Sequence, residues 1–539
     1  MKPERAIAAR VAAHAVGKFA GLSLLWLTIS GSADAAIFNV AASDTAGLIT
    51  AITTANGNGV SNAINLAGGS YNLTVADNTS ATGGPNGLPA IISTLTINGN
   101  GSTIVRTGVP LFRILQVGSA SGTAGALTLN DLTVTGGNPG QAGGSPQAQF
   151  DGGGIMVFAA SSSLALNATV VTANTARGGG GLSIEGTGAS AVITNSTISG
   201  NTASSSTGGF GGGVGVEGFQ STFTANNSNI INNIAGTSTP SIGSAGGAIS
   251  VDGGANVVTL TDSTISGNQA NGGTAGAVGG GIAETGGNAS TYVITRSTLS
   301  GNSANATTGR AQGGAFVALA DSTVTIRNST ISGNTLSTPN AQAEGGAIAN
   351  LGASVFVLSN TTVTNNSGKT GGGLFQTGGG SITLRNSILA GNSASTAGLD
   401  CAGPIASQGH NLVGTSSGCA FAAAAGDLVG ASGGLAPLAN NGGATQTHAL
   451  NAGSIAIDAG DPGVPGSGGT ACEGTDQRGI ARPQGIRCDI GAFELAGVAP
   501  PPPPPPVVAA VPTLSEWTLY TLTAMMALLG VASLRRRKR

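Results

Sequence analysis

The fold is decided by one phrase, Asn195-Ser196-Thr197-Ile198-Ser199-Gly200-Asn201, which returns with small changes at 227–233, 262–268, 296–302, 328–334, 360–366 and 386–392. A degenerate copy ends at Asn174. From there the closing asparagines Asn201, Asn233, Asn268, Asn302, Asn334, Asn366 and Asn392 follow at steps of 27, 32, 35, 34, 32, 32 and 26 residues. A second phrase, a glycine pair and then an aliphatic residue or Phe, keeps pace at Ile155, Leu182, Val214, Ile249, Ile282, Phe316, Ile348 and Leu374. Self-similarity at this period marks stacked repeats, each too small to bury its own core.

Within a repeat, short β-rich runs such as 191–194 and 197–199 alternate with Gly, Asn and Ser turns, and no stretch has helical period. Stacking such units predicts an all-β, right-handed parallel β-helix, in which each repeat adds one rung to several parallel sheets. Alternate side chains then face a narrow shared interior that suits small and β-branched residues. Asparagines recurring at one register are expected to stack, each amide bonding to the next rung as an internal ladder.

Composition agrees with a repeat protein: of 539 residues 93 are Gly, 8% are charged and 3% aromatic. The formal charge of −2 conceals a mildly acidic body. Removing the basic residues of the two ends, together with Glu4, Asp34 and Glu516, leaves 11 basic against 19 acidic residues. With no basic patch, nucleic acid is excluded as a partner.

The expected organisation is a signal peptide over 1–35, an N-terminal cap with first rungs over 36–136, β-helix repeats over 137–399, a C-terminal module over 400–495, a Pro-rich linker over 496–510 and a tail over 511–539. The start has a basic region through Lys18, an apolar stretch 19–29, and small residues Ala33 and Ala35 before a cleavage point near Ala36. This implies Sec-type export and signal peptidase as partners. In the cap, Ser43 or Asp44 is expected to start a short amphipathic helix carrying Leu48, Ile49 and Ile52. Seven prolines, 500–506, make a stiff extended spacer. Beyond them 517–534 is long and apolar enough for one transmembrane helix, with Trp517 and Tyr520 suited to an interface and 535–539 all basic.

The four cysteines lie in the C-terminal third. Four cysteines allow three pairings, of which the sequence-local ones, Cys401 with Cys419 and Cys472 with Cys488, are expected in an exported chain. A zinc site is the rival, without a CxxC pair or suitably spaced histidines.

The string Val511-Pro512-Thr513-Leu514-Ser515-Glu516-Trp517, followed by one hydrophobic helix and an Arg cluster, resembles the IPTL-type C-terminal sorting signals of Gram-negative bacteria, departing only in Val511 for Ile. The resemblance implies an exosortase-type processing enzyme as partner. It also implies an inner-membrane-tethered precursor, with the cell surface or extracellular matrix as destination. The strings His410-Asn411-Leu412-Val413-Gly414, Asp476-Gln477-Arg478-Gly479 and Cys488-Asp489-Ile490-Gly491-Ala492-Phe493-Glu494, placed after such repeats, look like the choice-of-anchor Q family of bacterial β-helix proteins. That resemblance implies a module preceding interchangeable anchors, with no assigned catalytic activity. Read from its residues, the module is a disulfide-pinned cap closing the last open edge, and its Asp476, Arg478, Arg482, Arg487 and Asp489 form ion pairs among loops.

Candidate catalytic residues come from one column. Glu185, Glu217 and Asp252 each lie three residues past the glycine-pair aliphatic position, and Glu284 lies two past. On successive rungs about 4.8 Å apart, carboxylates approach acid/base or metal-binding distance. The offset points them outward beside glycine turns, and later rungs carry Leu319, Leu351 and Thr377 there. No Lys, Arg or His repeats alongside. Solvated turn acids are therefore expected, with no cofactor, and weak calcium binding is a lesser alternative. The function expected is a non-enzymatic structural, adhesion or polysaccharide-binding scaffold facing polysaccharide or neighbouring cells. The competing reading is a polysaccharide lyase or glycoside hydrolase of pectate-lyase-like fold.

Overall fold

The repeated phrase folds as a corner. In the computed structural model, Asn195 takes φ 50° between the strands Ser190–Thr194 and Thr197–Ser199, and the same left-handed residue recurs at Asn227, Asp262, Arg296, Asn328, Asn360 and Asn386 with φ between 45° and 52°. Asn and Asp tolerate this conformation because a short polar side chain can bond locally. Residues 35–141, 147–206, 208–236, 243–287, 289–339, 342–496 and 516–537 are described. The expected signal peptide with Ala33, the proline run and 511–515 of the sorting string lie outside them. Ala35 and Ala36 lead directly into the first strand, Ile37–Val40.

One coil passes through four strands, for example Ser190–Thr194, Thr197–Ser199, Thr202–Ala203 and Val214–Val216. Each pairs in parallel with its counterpart one repeat later: Ala191 opposite Phe223, Ile198 opposite Ile230, Ala203 opposite Ala235 and Val214 opposite Ile249. The chain is a parallel β-helix. Rungs run from Ile37–Val40, paired with Asn62–Leu66, to Leu428–Val429, paired with Leu412–Val413. Stacked strands therefore continue past residue 400. The change of sequence phrase there precedes the end of the coil by about one turn, because Cys401–Ser407 still pairs with two strands of the previous rung.

The core is a set of columns. Ala191, Phe223, Val258, Tyr292, Val324, Phe356 and Ile382 stack inward on the five-residue strands, Ile405 of Cys401–Ser407 continues the column, and all are buried. Phe316, from the glycine-pair strand, meets Tyr292 and Phe356 edge-on at 5.1 and 5.4 Å between ring centres. The short helix Thr45–Gly57 closes the start of the coil. Asp44 caps it by accepting from Gly47 N at 2.8 Å, and Leu48 and Ile52 are buried, while Ile49 packs only partly.

Polar ladders tie the rungs. From Asn174 through Asn201, Asn233, Asn268, Asn302, Asn334, Asn366 and Asn392, each Nδ2 donates to the next Oδ1 at 2.8–3.0 Å. Asp400 ends the series, its Oδ1 accepting from both Asn392 N and Nδ2 at 3.0 Å. A second buried ladder uses the residue after each corner: the backbone N–H groups of Thr169, Ser196, Ser228, Ser263 and Ser297 each donate to the next hydroxyl at 3.0–3.2 Å. Further on, Ser387 N donates to Asn411, and Asn411 N to Asp427. A third, outer ladder links Asn39, Asn65, Asn98, Asn130 and Asn167 on the first rungs.

The C-terminal module lies along the flank of the coil as well as past its last rung. Thr298 and Thr330 bond to Gln446 O and to Gln477, Ser332 Oγ meets His448 Nε2 at 2.8 Å, and Ala492 N donates to Thr362. Ile388 and Leu412 pack beneath Leu450, Ala456, Ile490 and Phe493. Docking on the flank is thus added to the expected closing of the last edge. The rows of Thr and Ser on the three-residue strands give the module a polar track to dock on. Disulfides join Cys401 to Cys419, across successive rungs, and Cys472 to Cys488 within the module.

Candidate functional site

The strand register separates the candidate acids. Val251 pairs with Glu284 and Val216 with Val251, so Glu284 has the parity of the inward residues. The residue continuing the column of Glu185, Glu217 and Asp252 is instead Thr285, which bonds Asp252 Oδ1 at 3.4 Å. Glu284 is buried at 1% exposure. Its Oε2 accepts from Leu319 N and Ala320 N at 3.1 and 2.9 Å, and its Oε1 has no hydrogen-bond partner. Burial, against those two N–H groups, pushes its carboxyl up to about 7.

Glu185 and Glu217 do point outward, yet they are not solvated turn acids. The segment connecting each two-residue strand to the next glycine-pair strand folds back over the outer face of the latter. It carries Arg177 and, one rung earlier, Asp151. Arg177 Nη2 lies 2.6 Å from Asp151 Oδ2 and 3.2 Å from Glu217 Oε2, with Asp151 fully buried and Glu217 17% exposed. Glu185 accepts from Ser183 Oγ. One carboxylate oxygen from each of Asp151, Glu185 and Glu217 lies within 4.8 Å of the others, an arrangement able to hold a metal ion. Burial, with the neighbouring Asp151 charge, raises Glu185 to about 7. Burial, with the charges of Glu185 and Asp151, raises Glu217 well above the carboxylate range. Asp252 alone of the column is exposed.

A second arginine stands beside this group. Arg113, fully buried, donates to the carbonyls of Gly83, Ala148, Gln149 and Asp151 and to Asn86 Oδ1, so its hydrogen bonds are spent on the backbone around the site. On later rungs the same outer face is apolar: Ala283, Val317 and Ala349 pack with Val278, Leu319, Leu351 and Phe375. Leu319 and Leu351, which replace the acids in sequence, replace them in this interface.

Asp151 and Arg177 escape a search for repeated residues because neither repeats. Asp151 stands immediately before a left-handed glycine, Gly152, in the position held later by Gly178, Phe210, Ala245, Val278, Gln312 and Glu344. Aligning repeats on that glycine exposes the substitution. Arg177 precedes Gly178 and offers no such register signal.

In the C-terminal module the charged strings are spent internally. Asp476 accepts from Arg478 Nε and from the N–H groups of Arg478, Ile480 and Glu494. Arg482 donates to Glu494 Oε2 at 2.8 Å and to the carbonyls of Asp489 and Gly491, and Arg478 lies 3.6 Å over the Phe493 ring. Asp489 accepts from Asp458 N and Leu495 N. Arg487 contributes its N–H to Asp458.

The last element is a 21-residue helix, Glu516–Arg536, with none of its residues buried and Trp517 and Tyr520 in contact near its start. It is long and apolar enough to cross a membrane. Residues 509–537 match the IPTL-CTERM motif. Comparison with curated proteins gives no match. Among solved structures the chain is similar to the crystal structure of pectate lyase Pel9A, at 15% identity and a TM-score of 0.39, with 86% of this chain and 97% of that chain covered. Fold and tail together define the class: a disulfide-bonded parallel β-helix carrying a C-terminal sorting motif. The motif implies export, by way of a precursor with one apolar anchoring helix.

Proposed function

We propose that the chain is a non-enzymatic scaffold of a Gram-negative cell surface or extracellular matrix, delivered through exosortase-type processing of its tail and contacting polysaccharide or neighbouring cells. The observation that carries this reading is the use of the column acids. Glu217 is ion-paired through Oε2 to Arg177, Glu185 accepts from Ser183, and Glu284 is buried on two backbone N–H groups, which leaves Asp252 as the one acid of the four in an exposed position. Support also comes from the five-residue strands, whose outer rows present partly exposed Thr222, Thr224, Thr259, Thr261, Thr323 and Thr325 on a regular lattice of rungs. Interior ladders brace that face. Such a wall suits repeated weak contacts with a polymer chain.

The test is incubation of the full chain with acidic and neutral polysaccharides, reading both binding and release of reducing or unsaturated ends. Polymer retention without cleavage, unchanged in Glu217→Gln and Asp252→Asn, is expected. Cleavage that disappears in those variants would overturn the scaffold reading in favour of a lyase or hydrolase.

A further inference from the structure

Beside Gly178 the carboxylates of Asp151 and Glu217 each turn one unpartnered oxygen towards the same point, with Glu185 within reach of both. Asp151 is 0% exposed, yet only its Oδ2 is engaged, by Arg177, and Oδ1 has no hydrogen-bond partner. Glu217 repeats the pattern, with Oε2 on Arg177 and Oε1 unpartnered. Both free oxygens face the same glycine: a β-carbon on Gly178 would lie 2.5 Å from Glu217 Oε1 and 2.8 Å from Asp151 Oδ1. Leaving buried carboxylate oxygens unmatched is expensive, so such an arrangement calls for a cation or a proton at the point of convergence.

We propose that Asp151, Glu185 and Glu217 form a calcium site that staples three successive rungs. Oxygen-only ligands select a hard cation, and an irregular set of protein carboxylates suits calcium better than magnesium, which keeps its waters and demands near-octahedral geometry. The three ligand atoms all lie within 4.8 Å of one another, close enough to reach one ion. The charge of the cluster also favours a cation. Three carboxylates against the guanidiniums of Arg177 and Arg113 still leave the cluster negative, and Arg177 holds Oδ2 and Oε2 aside so that Oδ1 and Oε1 remain for the metal. Ser183 Oγ, bonded to Glu185, sits at the edge as a further oxygen. Arg113 is engaged by backbone carbonyls, and Asp252, on the next rung, stays exposed outside the cluster. The site is independent of whether the outer wall binds polymer.

The experiment is calorimetric titration of the chelator-stripped full chain in detergent with calcium chloride, alongside thermal unfolding with and without the ion. One calcium per chain is expected, with a midpoint that rises with calcium and rises less with magnesium at equal concentration. Glu217→Gln and Glu185→Gln should each weaken binding at least tenfold, while Asp252→Asn should leave it within twofold. If one of the two glutamate variants does not fold, the other decides. No binding to the parent chain at 10 mM calcium, by the upper range of about 1 mM for extracellular modules, would overturn the proposal. So would binding that survives unchanged in the foldable variants.

Discussion

At the residue scale the chain uses Asn, Asp and Glu as backbone partners more than as surface charge. Asn268 shows the economy: its Nδ2 serves Asn302 Oδ1 and Ile230 O while its Oδ1 receives both the N–H and the Nδ2 of Asn233. Asn268→Ala removes a hydrogen bond from each of these four groups, leaves the buried Asn233 N–H without its acceptor, and is expected to lower unfolding free energy by about 2–4 kcal/mol, measured by denaturant titration. Asn227→Ala is the contrast. Its corner is occupied by Ala168 two rungs earlier at nearly the same φ, so a loss of about 1 kcal/mol is expected. Glu284 makes the opposite case, for a residue whose charge is unwelcome. Its folded carboxyl titrates near 7 against an ordinary 4.5, so the folded state holds the extra proton between those values and stability falls as pH rises through the window. Glu284→Gln keeps an acceptor for Leu319 N and Ala320 N and removes the charge. It should raise the unfolding midpoint by about 2 °C at pH 8 and by less than half of that at pH 5, read by circular dichroism.

At the scale of elements, what repeats in sequence is what the fold repeats. The rungs, corners and inner asparagine column follow from regular spacing because stacking imposes one register on every turn of the coil. The acid column was only half legible. Parity correctly puts Glu185 and Glu217 outside the strand, but parity within a strand carries no information about the connecting segment that covers it. That cover holds Asp151 and Arg177, which occur once each. Glu284 was misplaced for a different reason: one residue of offset in a strand exchanges outside for inside. The outer ladder from Asn39 to Asn167 is also hidden in sequence, since its asparagines sit in unlike phrases. The flank module illustrates the same limit. Its cysteines and acidic and basic strings are visible, whereas the side of the coil it docks on depends on hydroxyls that look like every other Thr and Ser. Its hold can be tested with Cys472→Ser/Cys488→Ser. Opening a 16-residue separation is expected to remove about 3 kcal/mol from the module alone. Hydrogen exchange should then quicken at 298–300, 330–332 and 362–364, where the module covers the strands, and stay unchanged at 197–199.

At the scale of the molecule, the coil and the apolar helix Glu516–Arg536, which lies in the sorting motif, are separate parts. The body closes on itself: its N-terminal helix covers the first rungs, its flank module covers the last, and Asp400 and Asp427 terminate the inner ladders with carboxylates that accept without needing a further rung. Among the described residues of the tail, Glu516–Arg536, none is buried against the body. Removal of 511–539 is therefore expected to leave the unfolding midpoint of the body within about 1 °C, as for a surface change away from packed groups, while changing where the protein goes. Intact mass and cell fractionation of native protein, with and without the tail, read this directly. Surface protein lacking the tail sequence, with the truncated form failing to reach the surface, is the outcome expected of a processed sorting signal. Full-length protein remaining in the inner membrane would mean that the helix is a plain anchor, and the display of the β-helix would then face the periplasm.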